Sequence, residues 1–209
     1  MKSIFSEKNP IIKLLTLICN LIILNFVIIL TSLPIFTIGA SLSAAYRTIY
    51  VINTQPNPSI IASYVNSFKG NFKKSTVIWL FLLFGFLFVF SDLYIIFFVI
   101  DKTFLFLQFP AWIIFFVLIS FILYCFPILS CYDYTDKHLA KNVILISLAN
   151  MPITFTFVVI NAALLFIASS SLYAFAVTLF FFIIIGFAFI LYIFSTFIFN
   201  ALNKCIREE

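Results

Sequence analysis

Residues 30–53 read LTSLPIFTIGASLSAAYRTIYVIN. Either the chain leaves a membrane before Pro34 and stays out, or it turns at Pro34 and crosses again, so this stretch sets the number of crossings and the orientation. Pro34 to Ile52 would extend ~28 Å as a helix, close to the ~30 Å hydrocarbon core of a bilayer. Pro34 suits a first helical turn, where its missing N–H costs nothing, and Asn53 suits a helix end. Thr37, Ser41, Ala44, Ala45 and Thr48 recur at three- and four-residue spacing, a small-residue face of the kind that lets membrane helices approach closely. Arg47 interrupts the segment, and a surface amphipathic helix is the competing reading.

The basic residues separate the two. If the segment crosses, Lys2, Lys8, Lys13, Arg47, Lys69, Lys73, Lys74, Lys137, Lys141, Lys204 and Arg207 share one side, and Lys102 alone lies on the other. If it does not, Lys2, Lys8 and Lys13 change sides and the asymmetry weakens. Basic residues mark the cytoplasmic side, so the crossing reading predicts a multi-pass membrane protein with both termini cytoplasmic.

The rest of the chain is as apolar as this stretch requires. Hydrophobic residues make up 65% and charged residues 9% of 209 residues, with a mean hydropathy of +1.24, against roughly 45–50% and roughly 25% in soluble domains. Val77 to Phe90 carries no charge, and Leu139 to Asn203 carries only Lys141. Barrel strands would alternate polar and apolar residues, so the runs predict helices. The expected fold is an all-α polytopic membrane protein. It is a single bundle of six segments at about 14–33, 34–52, 75–98, 110–130, 142–168 and 172–203, the second one short. The first run is long enough to span and lacks a cleavage site, so it reads as a retained helix.

Between the second and third segments, Asn57-Pro58-Ser59 is a helix-start signal. After it, Ile60, Ile61, Tyr64, Val65, Phe68 and Phe72 form one stripe, with Lys69, Lys73 and Lys74 beside it. This predicts a separate cytoplasmic amphipathic helix over about 58–69. It either lies in the membrane interface or docks a partner through Ile61, Tyr64, Val65, Phe68, Lys69, Phe72 and Lys73.

Chemistry is sparse. Phosphate loops need glycine, and the chain has only Gly39, Gly70, Gly85 and Gly186, which excludes a nucleotide-hydrolysing subunit. Cys19, Cys125, Cys131 and Cys205 form no Cys-x-x-Cys pair, so neither a zinc site nor a disulfide framework is expected. Asp133, Asp136 and His138 have metal-ligand character but irregular spacing, and read as a solvated loop. The net charge of +5 comes from loops beside the membrane, where anionic headgroups attract it, and not from a nucleic-acid surface. The 31 phenylalanines accompany abundant Ile, Lys and Asn and read as compositional bias.

Ionisable groups at membrane depth are functional candidates by default, which singles out Asp92 and Arg47. Asn150, Thr154 and Asn161 fall on one face of the fifth segment, to line a solute path or to bond across helices. Pro127 and Pro152 each remove a backbone hydrogen bond and are expected to bend their helices. No catalytic constellation, cofactor or metal follows from these residues.

The runs NLIILNFVIILTSLPIFTIGASLSAAY (20–46), SFKGNFKKST (67–76), YCFPILSCYD (124–133) and KNVILISLANMPIT (141–154) resemble the YesL family of small bacterial integral membrane proteins, most specifically in Leu-Pro-x-x-Thr-x-Gly-Ala at Leu33 to Ala40. That family is chiefly of unassigned function and is often encoded beside carbohydrate importers. Together with the presented 53–74 loop, that setting points to a non-catalytic accessory or partner subunit of the bacterial cell membrane in carbohydrate uptake or utilisation, associated with an ABC-type sugar importer. An autonomous small-solute transporter or channel is the alternative. The likeness supplies no catalytic residue to carry over.

Overall fold

A computed structural model describes residues 10–55, 58–98, 106, 108–131 and 136–207. Among them every regular element is helical: α1 (Pro10–Ser32), a 3₁₀ turn (Ile35–Thr37), α2 (Ile38–Thr54), α3 (Ile60–Phe98), α4 (Gln108–Cys131), α5 (Asp136–Ala149), α6 (Met151–Ser170), α7 (Leu172–Phe181), a π-helical turn (Phe182–Gly186) and α8 (Phe187–Arg207). Six stretches are long and apolar enough to cross a membrane: Pro10–Ser32, Ile35–Thr54, Ile60–Phe98, Gln108–Cys131, Met151–Ser170 and Leu172–Phe199. The chain is a multi-pass membrane protein of the expected all-α class.

The opening stretch turns at Pro34. Pro34 sits in extended geometry at φ −76° and ψ 120°, and its carbonyl accepts Thr37 N–H at 3.0 Å. The Thr37 hydroxyl donates to the carbonyls of Thr31 at 2.6 Å and Pro34 at 2.7 Å, fastening the turn to the end of α1. α2 then packs against α1, α3, α4 and α8 and is the most enclosed of the long helices. Its small-residue face does what its spacing predicts: Thr37, Ser41, Ala44, Ala45 and Thr48 are all buried. Gly39 shows how close the approach is. A Cβ there would meet Trp79 Cβ and lie 2.6 Å from the Ser75 carbonyl oxygen, so α2 and α3 touch at a point where no larger residue fits.

Two expected boundaries are corrected. The amphipathic helix over 58–69 is not separate: it runs without a break into the third segment, giving a helix of 39 residues. At 1.5 Å per residue this is ~58 Å, about twice the hydrocarbon core. The physical reason is that nothing after Pro58 stops it. Gly70 is the weakest helix former in the junction, and its missing side chain faces open space. The fifth segment, expected at 142–168, instead divides at Asn150 into α5 and α6, because Pro152 belongs to the first turn of a new helix. By contrast Pro127 stays inside α4.

α4 runs antiparallel to α3, with Leu118 against Gly85, Phe115 against Phe86 and Phe90, and Ala111 beside Leu93. One buried cluster joins α1, α2, α3 and α8 through Leu24, Ala45, Tyr46, Tyr64 and Ala188. A second joins α4, α5 and α8 through Leu123, Ile128, Val143, Phe194 and Ile198. Cys19, Cys125 and Cys131 are free thiols.

Candidate functional site

In hydrocarbon a polar side chain must find a partner inside the protein, so its partner shows what it is for. The densest polar group lies where α1, α2 and the start of α3 meet. The Tyr64 hydroxyl is 2.6 Å from Thr31 Oγ1 and 2.7 Å from Ser41 Oγ. Ser32 donates to Ser41 at 2.9 Å, and Thr31 donates back to the Val27 carbonyl at 2.9 Å. Four hydroxyls from three helices thus form one satisfied network around the Pro34 turn.

A second group ties the first helix to the last. Asn25 is fully buried in α1. Its Nδ2 donates to the carbonyls of Phe182 at 3.0 Å and Ile183 at 2.8 Å, and its Oδ1 accepts from Ala188 N–H at 3.0 Å. Two of these backbone groups belong to the π-helical turn and the third lies just after it, so a single amide spans the irregular stretch. A third group joins α4 to the α5–α6 junction. The Tyr124 hydroxyl donates to the Asn150 carbonyl at 3.1 Å and accepts from Thr154 Oγ1 at 3.2 Å.

Set against these groups, the sequence-predicted residues scatter. Of the docking stripe, Tyr64 is fully buried and Phe68 packs on the same core, its ring stacked on Tyr64 at 6.1 Å. Tyr64 is thus enclosed, with its hydroxyl bonded within the bundle, while Phe68 is half-buried. Ile61, Val65, Lys69, Phe72 and Lys73 remain exposed. Arg47 is half-buried, lies 5.6 Å over the Tyr50 ring, and reaches Cys131 at the end of α4. Asp92 is half-buried and has no hydrogen bond or ion pair among the described residues. Lys102 and Asp133 lie outside those residues.

The stripe expected on the fifth segment is split by the Asn150 break. Asn150 precedes α6 and donates to the Ile146 carbonyl at 2.9 Å, while Thr154 is spent on Tyr124. Only Asn161 faces space. Its Nδ2 donates to the Phe157 carbonyl at 2.9 Å, and the residue lines a cavity of about 400 Å³ bounded by α2, α4, α6 and α8. No group of three or more His, Cys, Asp or Glu side chains that could hold a metal ion occurs among the described residues.

Sequence reasoning missed Asn25, Thr31, Ser32 and Tyr124. The only signal for Asn25 was its polarity within an aliphatic run. The hydroxyl network and the Asn25 amide both lie in the part of the chain that comparison with known proteins recognises. No curated protein and no solved structure matches. Over residues 18–93, which hold most of α1 and α3 and all of α2, the chain is similar to a family described as a protein of unknown function, DUF624.

Proposed function

We propose that the chain is a non-catalytic accessory subunit of a membrane assembly for carbohydrate uptake, a partner of an ABC-type sugar importer. The observation that carries the non-transporting part is where the intramembrane polar groups go. Asn25, Thr31, Ser41, Tyr64, Tyr124 and Thr154 bond to one another or to backbone within the bundle, as helix fasteners do, and are not turned towards a common path. The exposed stripe of Ile61, Val65, Lys69, Phe72 and Lys73, on a helix longer than any crossing needs, is the surface offered to a partner. The carbohydrate setting rests on the resemblance to the YesL family. Affinity purification from native membranes in mild detergent should bring down importer permease subunits. Val65→Glu with Phe72→Glu should release them while the protein stays inserted. Recovery of the protein alone, or of the same partners from the double variant, overturns the proposal.

Asp92 favours the second reading, an autonomous transporter, because a half-buried carboxylate without a partner among the described residues is what ion coupling needs. Coupling requires a group that changes charge or binds an ion, and an amide does neither. Flux through the purified protein in proteoliposomes, lost in Asp92→Asn, would establish that reading. The expected result is no flux from either protein.

A further inference from the structure

The cavity between α2, α4, α6 and α8 has walls of Phe115, Ile119, Phe157 and Leu191, with two polar side chains among them, Tyr46 and Asn161. Tyr46 is 2% exposed, and its hydroxyl makes no hydrogen bond among the described residues. Every other buried tyrosine here spends its hydroxyl: Tyr64 on Thr31 and Ser41, Tyr124 on Asn150 and Thr154. The fully enclosed oxygens without a partner among the described residues are Ser75 Oγ and Thr76 Oγ1; the Tyr46 hydroxyl is not one of them, and Tyr46 lines a cavity from which an outside group could supply its missing partner. Asn161 adds a carbonyl oxygen and a second amide hydrogen that its own helix does not use. We propose that this cavity binds the alkyl chain of a neutral amphiphile, with the hydroxyl or ester of that molecule held between Tyr46 and Asn161.

Size, lining and charge each narrow the class. A volume of about 400 Å³ lies in the usual range for small-molecule sites, and at ~30 Å³ per water-sized group it holds roughly a dozen non-hydrogen atoms. The apolar walls suit methylenes, which fill such space without needing partners. No lysine, arginine or acidic side chain lines it, so a carboxylate or ammonium head would be buried without compensation, and a neutral head is required. An unbranched hydrocarbon fits the walls equally well but leaves Tyr46 unpaired. That difference is what the experiment reads.

The full-length protein in phosphatidylcholine nanodiscs is irradiated with a dodecanol that carries a mid-chain diazirine, and adducts are mapped by mass spectrometry. Adducts are expected in residues 115–123 and 157–165. Unlabelled dodecanol should displace them about fivefold more effectively than dodecane at the same membrane concentration, the factor that one hydrogen bond supplies. Tyr46→Phe should erase that preference while leaving the unfolding temperature unchanged or raised, since the hydroxyl supports nothing in the bundle. Ala162→Phe, on the exposed side of the wall, should abolish the adducts by filling the space. Displacement by dodecane equal to that by dodecanol, unchanged preference in Tyr46→Phe, or adducts spread over other helices would mean annular lipid only and would overturn the proposal.

Discussion

Asn25 is one of two amides in a helix of mostly aliphatic side chains, yet it bonds to residues 157 to 163 positions away. Replacing it by leucine keeps the number of side-chain heavy atoms and removes three hydrogen bonds to backbone groups of the last crossing. Polar contacts between membrane helices are individually modest, and unsatisfied backbone groups cost more. Asn25→Leu should therefore lower stability by about 2 kcal/mol, read as thermal unfolding in detergent. Hydrogen exchange at residues 182–188 should accelerate ahead of the rest of the chain. A variant as stable as the parent would show that the amide fastens nothing. The role of this residue was not legible in the sequence, because periodicity reports only neighbours within a few turns. The hydroxyl network was half legible: the spacing of Thr37, Ser41 and Thr48 marked a helix contact, while the partner of Ser41 on α3 lies beyond any spacing rule.

At the level of elements, what the sequence revealed depended on whether a boundary had a local cause. The turn at Pro34 has one, and a second helix long and apolar enough to cross a membrane follows it. The junction at Gly70 has none: a polar, basic stretch and an apolar one differ in where they sit, and helical backbone is indifferent to that. The two read as separate helices although the hydrogen-bond ladder runs on. The break at Asn150 does have a local cause in Pro152, and it shows as a new helix start where a bend was expected. Two glycines in this region separate packing from propensity. Gly39→Ala forces a methyl against Trp79 and the Ser75 carbonyl and should cost about 2–3 kcal/mol. Gly70→Ala meets nothing and should stabilise by about 0.5–1 kcal/mol through helix propensity alone. Equal effects in detergent unfolding would show that α2 and α3 do not touch at Gly39.

For the molecule as a whole, the apolar runs determine that it spans a membrane, while orientation rests on the distribution of charge. In a background without other cysteines, Ser3→Cys and the native Cys205 should resist a membrane-impermeant maleimide applied from outside, and Lys102→Cys should react. Labelling at position 3 with protection at 102 would reverse the orientation, and labelling at both would remove one crossing. The candidate sites were less legible than the fold for a reason of scale. A cavity forms from four helices at once, and neither Tyr46 nor Asn161 carries a local mark of the other.

The π-helical turn at Phe182–Gly186 can also be described as arithmetic. A turn that closes from residue i to i+5 holds one residue more than its α-helical equivalent, while the helices on either side keep their courses. The last crossing is thus an α-helix with one supernumerary residue, and Asn25 is the counterpart that makes the surplus tolerable. Length changes should therefore be judged by where they fall. Deleting one residue within 183–185 lets the turn relax to α-helix, and Ala188, Leu191 and Ile198 stay facing inward. Deleting one at 190 turns everything after it by ~100° and carries Phe194 and Ile198 out of the core. The first deletion should fold best when paired with Asn25→Leu, since the amide then has no bulge to serve; insertion and deletion, rarely permitted inside a membrane helix, have a permitted address here.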